Sequence, residues 1–172
     1  MSATIIGIDP GIVDTGVVRF TFYQGLQRLT VSSAVLPTFD LATSPATIDR
    51  WIRGELLNVG HPKAHIFIEK YVPRPGMAPN VRMTDMQRAL VTALPAAKLV
   101  SNTGIKQVIT QEMMELLHVW RFGIATHHQD LRSAARIGLY GAAKDEDLNV
   151  YMADVIRDRN DWHFDVLKGV RL

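Results

Sequence analysis

Residues 3–9 of this chain read Ala-Thr-Ile-Ile-Gly-Ile-Asp, a nearly continuous apolar run that ends on a carboxylate. A strand with one wet face alternates apolar and polar residues. This one does not, so it belongs in the middle of a sheet with both faces covered. Pro10-Gly11 follows at once and stops the strand. Asp9 is thereby held rigid from behind and exposed by the turn in front.

The rest of the chain builds outward from that strand. Residues 16–23 and 26–35 alternate more, and Gln24-Gly25 between them predicts a tight hairpin. Residues 36–45 form a proline-containing loop, and 47–57 have helical spacing, with Ile48, Trp51, Ile52 and Leu56 on one face and Ser44 or Thr47 as cap. Residues 64–69 make a fourth strand that again ends on an acid, Glu69, and the proline-rich stretch 71–80 is a loop. A helix over 81–93 stops before Pro95, and 98–101 make a fifth short strand. Thr103 is placed to cap a helix running to about Trp120. The last strong helix starts near His128 and ends at Gly141, and 145–157 suit one more. Three strands followed by alternating helices and strands describe an α/β fold: a mixed five-stranded sheet flanked by helices on both faces.

A length of 172 residues suits a single domain with its own core, 142–172 being a C-terminal helical extension. Without cysteine there is no disulfide framework and no thiolate zinc site. No apolar run approaches the roughly 18 residues of a membrane span, and the N-terminus lacks the pattern of a signal peptide. The expected location is the cytoplasm. Net charge is only +2, but its distribution is uneven. Lys70, Arg74, Arg82, Arg88, Lys98, Lys106, Arg121, Arg132 and Arg136 face only Asp85, Glu112, Glu115 and Asp130 across the middle of the chain, whereas acids dominate residues 144–165. A basic middle with an acidic tail matches a polyanion-binding face with a solvated far end; scattered surface charge is the equally available reading.

Each acid alone has an ordinary explanation. Asp9 suits a turn, Glu69 a solvated strand end, Asp130 the N-terminal end of a helix, and His127-His128 a loop. Together, Asp9, Glu69 and Asp130 with His127 three residues before the last form a set that holds hard divalent cations. Mg²⁺ and Mn²⁺ take oxygen ligands and keep several waters, so one or two carboxylates per ion suffice. Two ions roughly 3.5–4 Å apart can clamp both the attacking and the leaving oxygen of a phosphoryl displacement. His127 suits either a metal ligand or a proton carrier.

Four segments carry a family resemblance: IIGIDPGIVDTGVV (5–18), HIFIEKYVPRPG (65–76), NTGIKQVITQEMMELL (102–117) and HHQDLRSAARIGLYG (127–141). In this order they resemble the RuvC family of Holliday junction resolvases, over roughly residues 3–142, and the compact form resembles a bacteriophage-type member. The resemblance implies an RNase H-like fold, a homodimer, and nicking of branched double-stranded DNA with two Mg²⁺ per site, Mn²⁺ substituting, in a bacterial cell or phage-infected host. It implies Asp9, Glu69, His127 and Asp130 as metal ligands and Lys106 as the catalytic lysine. Lys106 and some of Lys70, Arg74, Arg82, Arg121, Arg132 and Arg136 are expected to hold DNA phosphates, and Tyr71 is a further expected DNA contact, falling close to a family aromatic that stacks on an unpaired base. The chain departs from the family at Gln111-Glu112-Met113-Met114, which lacks the usual glycine loop and further lysine. The helix 81–93 offers Met83, Met86, Leu90 and Ala93 either to a dimer partner or to the core.

Other protein classes share parts of this pattern. An actin-like ATPase shares the opening motif but needs two such lobes, and no nucleotide cofactor is expected. A YqgF-like RNA-processing nuclease shares Asp9 and the last acid, a broader flap nuclease would share the whole site, and a non-catalytic DNA-binding module would have no use for clustered acids.

Overall fold

Strands form where the sequence is β-branched and apolar, and their register decides what stands next to what. The computed structural model describes residues 2–38, 40–59, 64–73, 75–122, 128–166 and 170–171. Strands β1 (Ser2–Asp9), β2 (Asp14–Tyr23) and β3 (Arg28–Pro37) make an antiparallel meander. Helix α1 (Ser44–Val59) then carries the chain across to β4 (Ala64–Lys70), which pairs parallel with β1 on its other side. Helix α2 (Val81–Ala93) leads to β5 (Lys98–Ser101), parallel to β4. Two short helices, α3 (Ile105–Val108) and α4 (Gln111–Leu116), precede the long α5 (His128–Ala143).

The mixed sheet with helices on both faces stands as expected, but with more than five strands. After α6 (Asn149–Arg157) the chain returns to the sheet as β6 (His163–Val166) and β7 (Val170–Arg171), both parallel to β3. The main path is therefore six strands, β5-β4-β1-β2-β3-β6, with β7 also on β3. The segment expected to be a purely helical extension thus covers an edge of β3 that would otherwise present unpaired backbone. Strands of four and two residues are too short to announce themselves by alternation.

Other boundaries move for identifiable reasons. The single helix expected from Thr103 to Trp120 is broken in two, because the Thr110 side chain accepts a hydrogen bond from the Met113 amide and starts a new helix. Helix α5 runs past Gly141, which is a contact residue instead of a stop. A Cβ there would lie 2.3 Å from the Phe67 ring. The hairpin at Gln24-Gly25 is a 3-10 turn in which Gln27, at φ 45°, takes the left-handed conformation.

Alternation along β1 divides the core. Ile6 and Ile8 join Ile48, Ile52, Met86 and Leu90 beneath α1 and α2. Ile5 joins Phe20, Phe67, Leu131, Ala134 and Ala135 beneath α5. Of the apolar stripe on α2, Met86 and Leu90 are therefore core residues, 1% and 0% exposed, and are not available to a dimer partner. Among the described residues no helix is long and apolar enough to cross a membrane.

Helix α5 approaches the sheet through glycines. A Cβ on Gly7 would stand 2.0 Å from the Ala134 carbonyl oxygen and 2.6 Å from the Gly138 nitrogen. Both are backbone atoms of α5 and cannot rotate away. Gly54, inside α1, has nothing within 4 Å of its Cβ position. We expect Gly7→Ala to destabilise the protein by about 1–3 kcal/mol or more in urea unfolding. Gly54→Ala should stabilise it by about 0.5–1 kcal/mol through helix propensity. Equal midpoints for the two variants would contradict the close α5 contact.

Candidate active site

The site is assembled by register. Ile8 pairs with Ile68 in the parallel β1–β4 ladder, so the next residues, Asp9 and Glu69, stand at the same level on neighbouring strands. Alternation puts both on the Gly7–Phe67 face, the one α5 covers. Across the antiparallel ladder Asp9 pairs with Gly16, and a Cβ on Gly16 would lie 2.6 Å from the Asp130 carbonyl oxygen. The first turn of α5 therefore rests directly on the strand beside Asp9, which brings Asp130 to the other two acids.

The turn after Asp9 is pinned from below. Thr38 Oγ1 donates to the Gly11 carbonyl at 2.7 Å, the Gly11 amide donates to Thr15 Oγ1 at 3.3 Å, and the Thr38 amide donates to the Val13 carbonyl at 2.7 Å. Thr15 and Thr38 are buried, so this small network fixes the end of β1. Glu69 is oriented by the Asn102 side chain, whose Nδ2 donates to Oε1 at 2.5 Å. Gln87 Nε2 approaches the Glu69 backbone carbonyl at 3.4 Å.

These surroundings act strongly on Asp9. Its pKa is pushed up from 3.8 to about 9. Burial is the main cause, followed by a proton shared with Glu69 and by the negative charges of Glu69 and Asp130; the Ser133 hydroxyl opposes the rise. Among the described residues no three His, Asp or Glu side chains converge into a ready-made metal cage. A Ca²⁺ or structural Zn²⁺ site would need one; Mg²⁺ retains waters and binds through one or two carboxylates. Half-buried carboxylates that repel one another are a donor set that fits such an ion.

Two clefts meet at Glu69 and Asn102. One, of about 640 Å³, is lined by Asp9, Glu69, Tyr71, Val72, Met77 and Met83 among others. The second, of about 470 Å³, is lined by Glu69, Asn102, Lys106, Ser133 and Arg136 among others. Of the sequence candidates, Asp9 and Glu69 stand side by side, the Asp130 charge acts on Asp9, and Lys106 shares the second cleft with Glu69. Tyr71 lines the first, where its hydroxyl accepts from the Asn80 amide at 2.9 Å and closes the loop 71–80. Lys70 is exposed at the end of β4, and Arg82 is exposed on α2. Arg121 lies outside both clefts, beside Glu115, His118 and Trp120. Arg132 is stacked over the Trp120 ring, 4.6 Å from its centre. His127 and Arg74 lie outside the described residues. Asn102 and Ser133 were not expected. Asn102 hides in a segment read for its lysine; Ser133 could have been found from its position one helical turn after Asp130.

No family model matches this sequence, and no curated protein matches it. Solved structures do. Thermus thermophilus RuvC in complex with a Holliday junction substrate is 16% identical, with a TM-score of 0.54, covering 80% of this chain and 90% of that one. Thermus thermophilus RuvC alone gives 18% identity and a TM-score of 0.52, covering 81% and 92%. The chain has the RuvC fold. The yeast mitochondrial Holliday junction resolvase is 15% identical, with a TM-score of 0.49, covering 90% of this chain and 81% of that one. Asp9, Glu69 and Asp130 thus stand together at one end of the central strands of a RuvC-like sheet.

The raised Asp9 pKa has a consequence for stability. The folded protein holds a proton on this carboxyl that the unfolded chain releases near 3.8. The associated stability is fully present below that value and is lost as pH rises through about 9. Melting temperatures in EDTA should therefore fall from about pH 6 to about pH 9, and fall less in Asp9→Asn, which keeps a neutral group at every pH. Parallel pH profiles for the two proteins would refute the buried, charge-crowded setting of Asp9.

Proposed function

We propose that this protein is a divalent-metal-dependent endonuclease that nicks branched DNA, resolving four-way junctions as a homodimer. The observation that carries the reading is the placing of Asp9 and Glu69 side by side on neighbouring strands with Asp130 packed over them. A fold gains nothing from burying like charges together, and a cation bound there offsets their repulsion. Further support comes from the fold, since the Thermus thermophilus RuvC of that fold was solved in complex with a Holliday junction substrate.

Asp9, Glu69 and Asp130 would hold Mg²⁺ or Mn²⁺. When bound, the ions supply Lewis acidity and charge neutralisation for in-line displacement at phosphorus. The chain's own groups do the rest. Asn102 aims one Glu69 oxygen, Ser133 holds Asp9, and the pinned turn at Gly11 keeps the end of β1 from yielding to repulsion. Lys106 stands across the cleft from Glu69, where its ammonium would meet phosphate charge. His127, the residue before His128 in the sequence, is retained as a further ligand or proton carrier. A dimer would set two such sites against two strands of a pseudo-symmetric junction and couple the nicks.

Cleavage of labelled four-way junction, flap and linear duplex in Mg²⁺ and in Mn²⁺ tests the proposal. We expect paired nicks in the junction, lowered at least about 100-fold in Asp9→Asn. Mg²⁺ should raise the melting temperature of the wild type and not of Asp9→Asn. Flap cutting as fast as junction cutting would replace junction resolution with general debranching. No product from any DNA would overturn the nuclease reading for DNA and direct attention to RNA.

Asn102→Ala separates orientation from ligation. With Glu69 present but no longer aimed, activity at limiting Mg²⁺ should fall about 10–100-fold and recover in part as Mg²⁺ is raised. A rate deficit that saturating Mg²⁺ leaves untouched would rule out this role.

A further inference from the structure

Arg132 and Arg136 lie one turn apart on the same face of α5, a spacing at which like charges repel. Both guanidiniums nevertheless gather at one ring, 4.6 and 5.4 Å from the centre of Trp120. Neither is ion-paired with a carboxylate among the described residues. Arg136 is half-buried, and its Nε approaches the Ile109 carbonyl at 3.4 Å, which locates the group without neutralising its charge. Burial, and then the Arg132 charge, lower its pKa, so the cation is held under conditions that disfavour it. Arg136 also lines the cleft of about 470 Å³ that holds Lys106, Ser133, Asn102 and Glu69. Lys106 and Arg136 thus both open onto the cleft between α3 and α5 that adjoins Glu69.

We propose that Arg136 forms a phosphate subsite for the DNA strand beside Lys106, gripping a backbone phosphodiester next to the one at the acids, with Trp120 as the positioning residue for Arg136. The inference rests on the nuclease reading above and adds where the strand leaves the cleavage point. A planar guanidinium presents paired N–H groups that match two phosphate oxygens, whereas the Lys106 ammonium acts as a point charge. The indole face holds the fork in place and shields one side of it from water, so little freedom is lost on binding. An arriving phosphate also relieves the repulsion between Arg132 and Arg136, a relief that solvent-separated surface arginines would not offer.

Binding of a four-way junction in EDTA, across a range of KCl, tests this in the Asp9→Asn background, where cleavage cannot interfere. Arg136→Gln should lower the slope of log affinity against log salt by about one unit. Arg136→Lys should keep the slope. Trp120→Leu should weaken binding at every salt concentration while keeping the slope, and Trp120→Phe should restore it. An unchanged slope in Arg136→Gln, with only a fall in melting temperature, would make Arg136 a structural residue and overturn the subsite. If unaltered protein neither binds nor cuts branched DNA, the nuclease reading itself falls. Junction cutting by the wild type with an unchanged Arg136→Gln slope removes the subsite alone.

Discussion

Helix α5 lies on the sheet with backbone against backbone. Gly7 and Gly138 face each other, Gly16 sits under the Asp130 carbonyl, and Gly141 makes room for the Phe67 ring. A side chain at Gly7 or Gly16 would lift the helix by the width of a methyl group, and Asp130 would rise with it. Carboxylates that share an ion tolerate little such error, because coordination distances are fixed to tenths of an ångström. The glycines of β1 and β2 therefore set the position of the last acid as directly as the register of β1 and β4 sets the first two. Leu131, Ala134 and Ala135 then hold the helix at that height by burying its inner face against Ile5 and Phe20.

Packing of this kind has an electrostatic task as well as a hydrophobic one. Three carboxylates crowded at one end of a sheet push apart, and the push is largest where water is scarce. The elements that carry them are those least able to move: two interior strands and the first turn of a helix docked without intervening side chains. The turn that directly follows Asp9 is irregular backbone, and it is tied to buried Thr15 and Thr38. The proton on Asp9 lowers the remaining repulsion, and a divalent cation would replace that proton. The rigidity of the scaffold is what holds the acids together against that repulsion.

Much of this was legible in the chain itself. An apolar run ending on an acid places a carboxylate at the end of a buried strand whatever the fold, and it occurs twice, at Asp9 and Glu69. The helix beginning near His128 was equally plain, because its apolar residues recur at helical spacing. What escaped the sequence depends on contacts between distant segments. Gly141 looks like a helix stop and is instead a cavity for Phe67. Asn102 is an ordinary loop residue until β5 brings it to Glu69. The short strands β6 and β7 owe their existence to the open edge of β3 more than to their own residues. The stripe on α2 was ambiguous by periodicity alone, because a helix that faces a core and one that faces a partner show the same spacing.

The charge layout follows from the same architecture. The acidic stretch 144–165 could have set a negative field against any polyanion, yet its carboxylates are largely occupied. Asp145 pairs with Lys98 at 2.7 Å, Asp165 accepts from Arg28 Nε at 2.6 Å, Asp154 accepts from Gln24 and Arg157, and Asp158 also meets Arg157. Exposed pairs of this sort contribute only about 0–1 kcal/mol each to stability. Their larger effect is on the field: they pair off negative charge on α6, on β6 and at the β5 edge. None of these acids lines either cleft that meets at Glu69. Among the described residues, the acids that line those clefts are Asp9 and Glu69, and Lys106 and Arg136 line the second. A polyanion approaching that end of the sheet would meet positive charge flanking the acids.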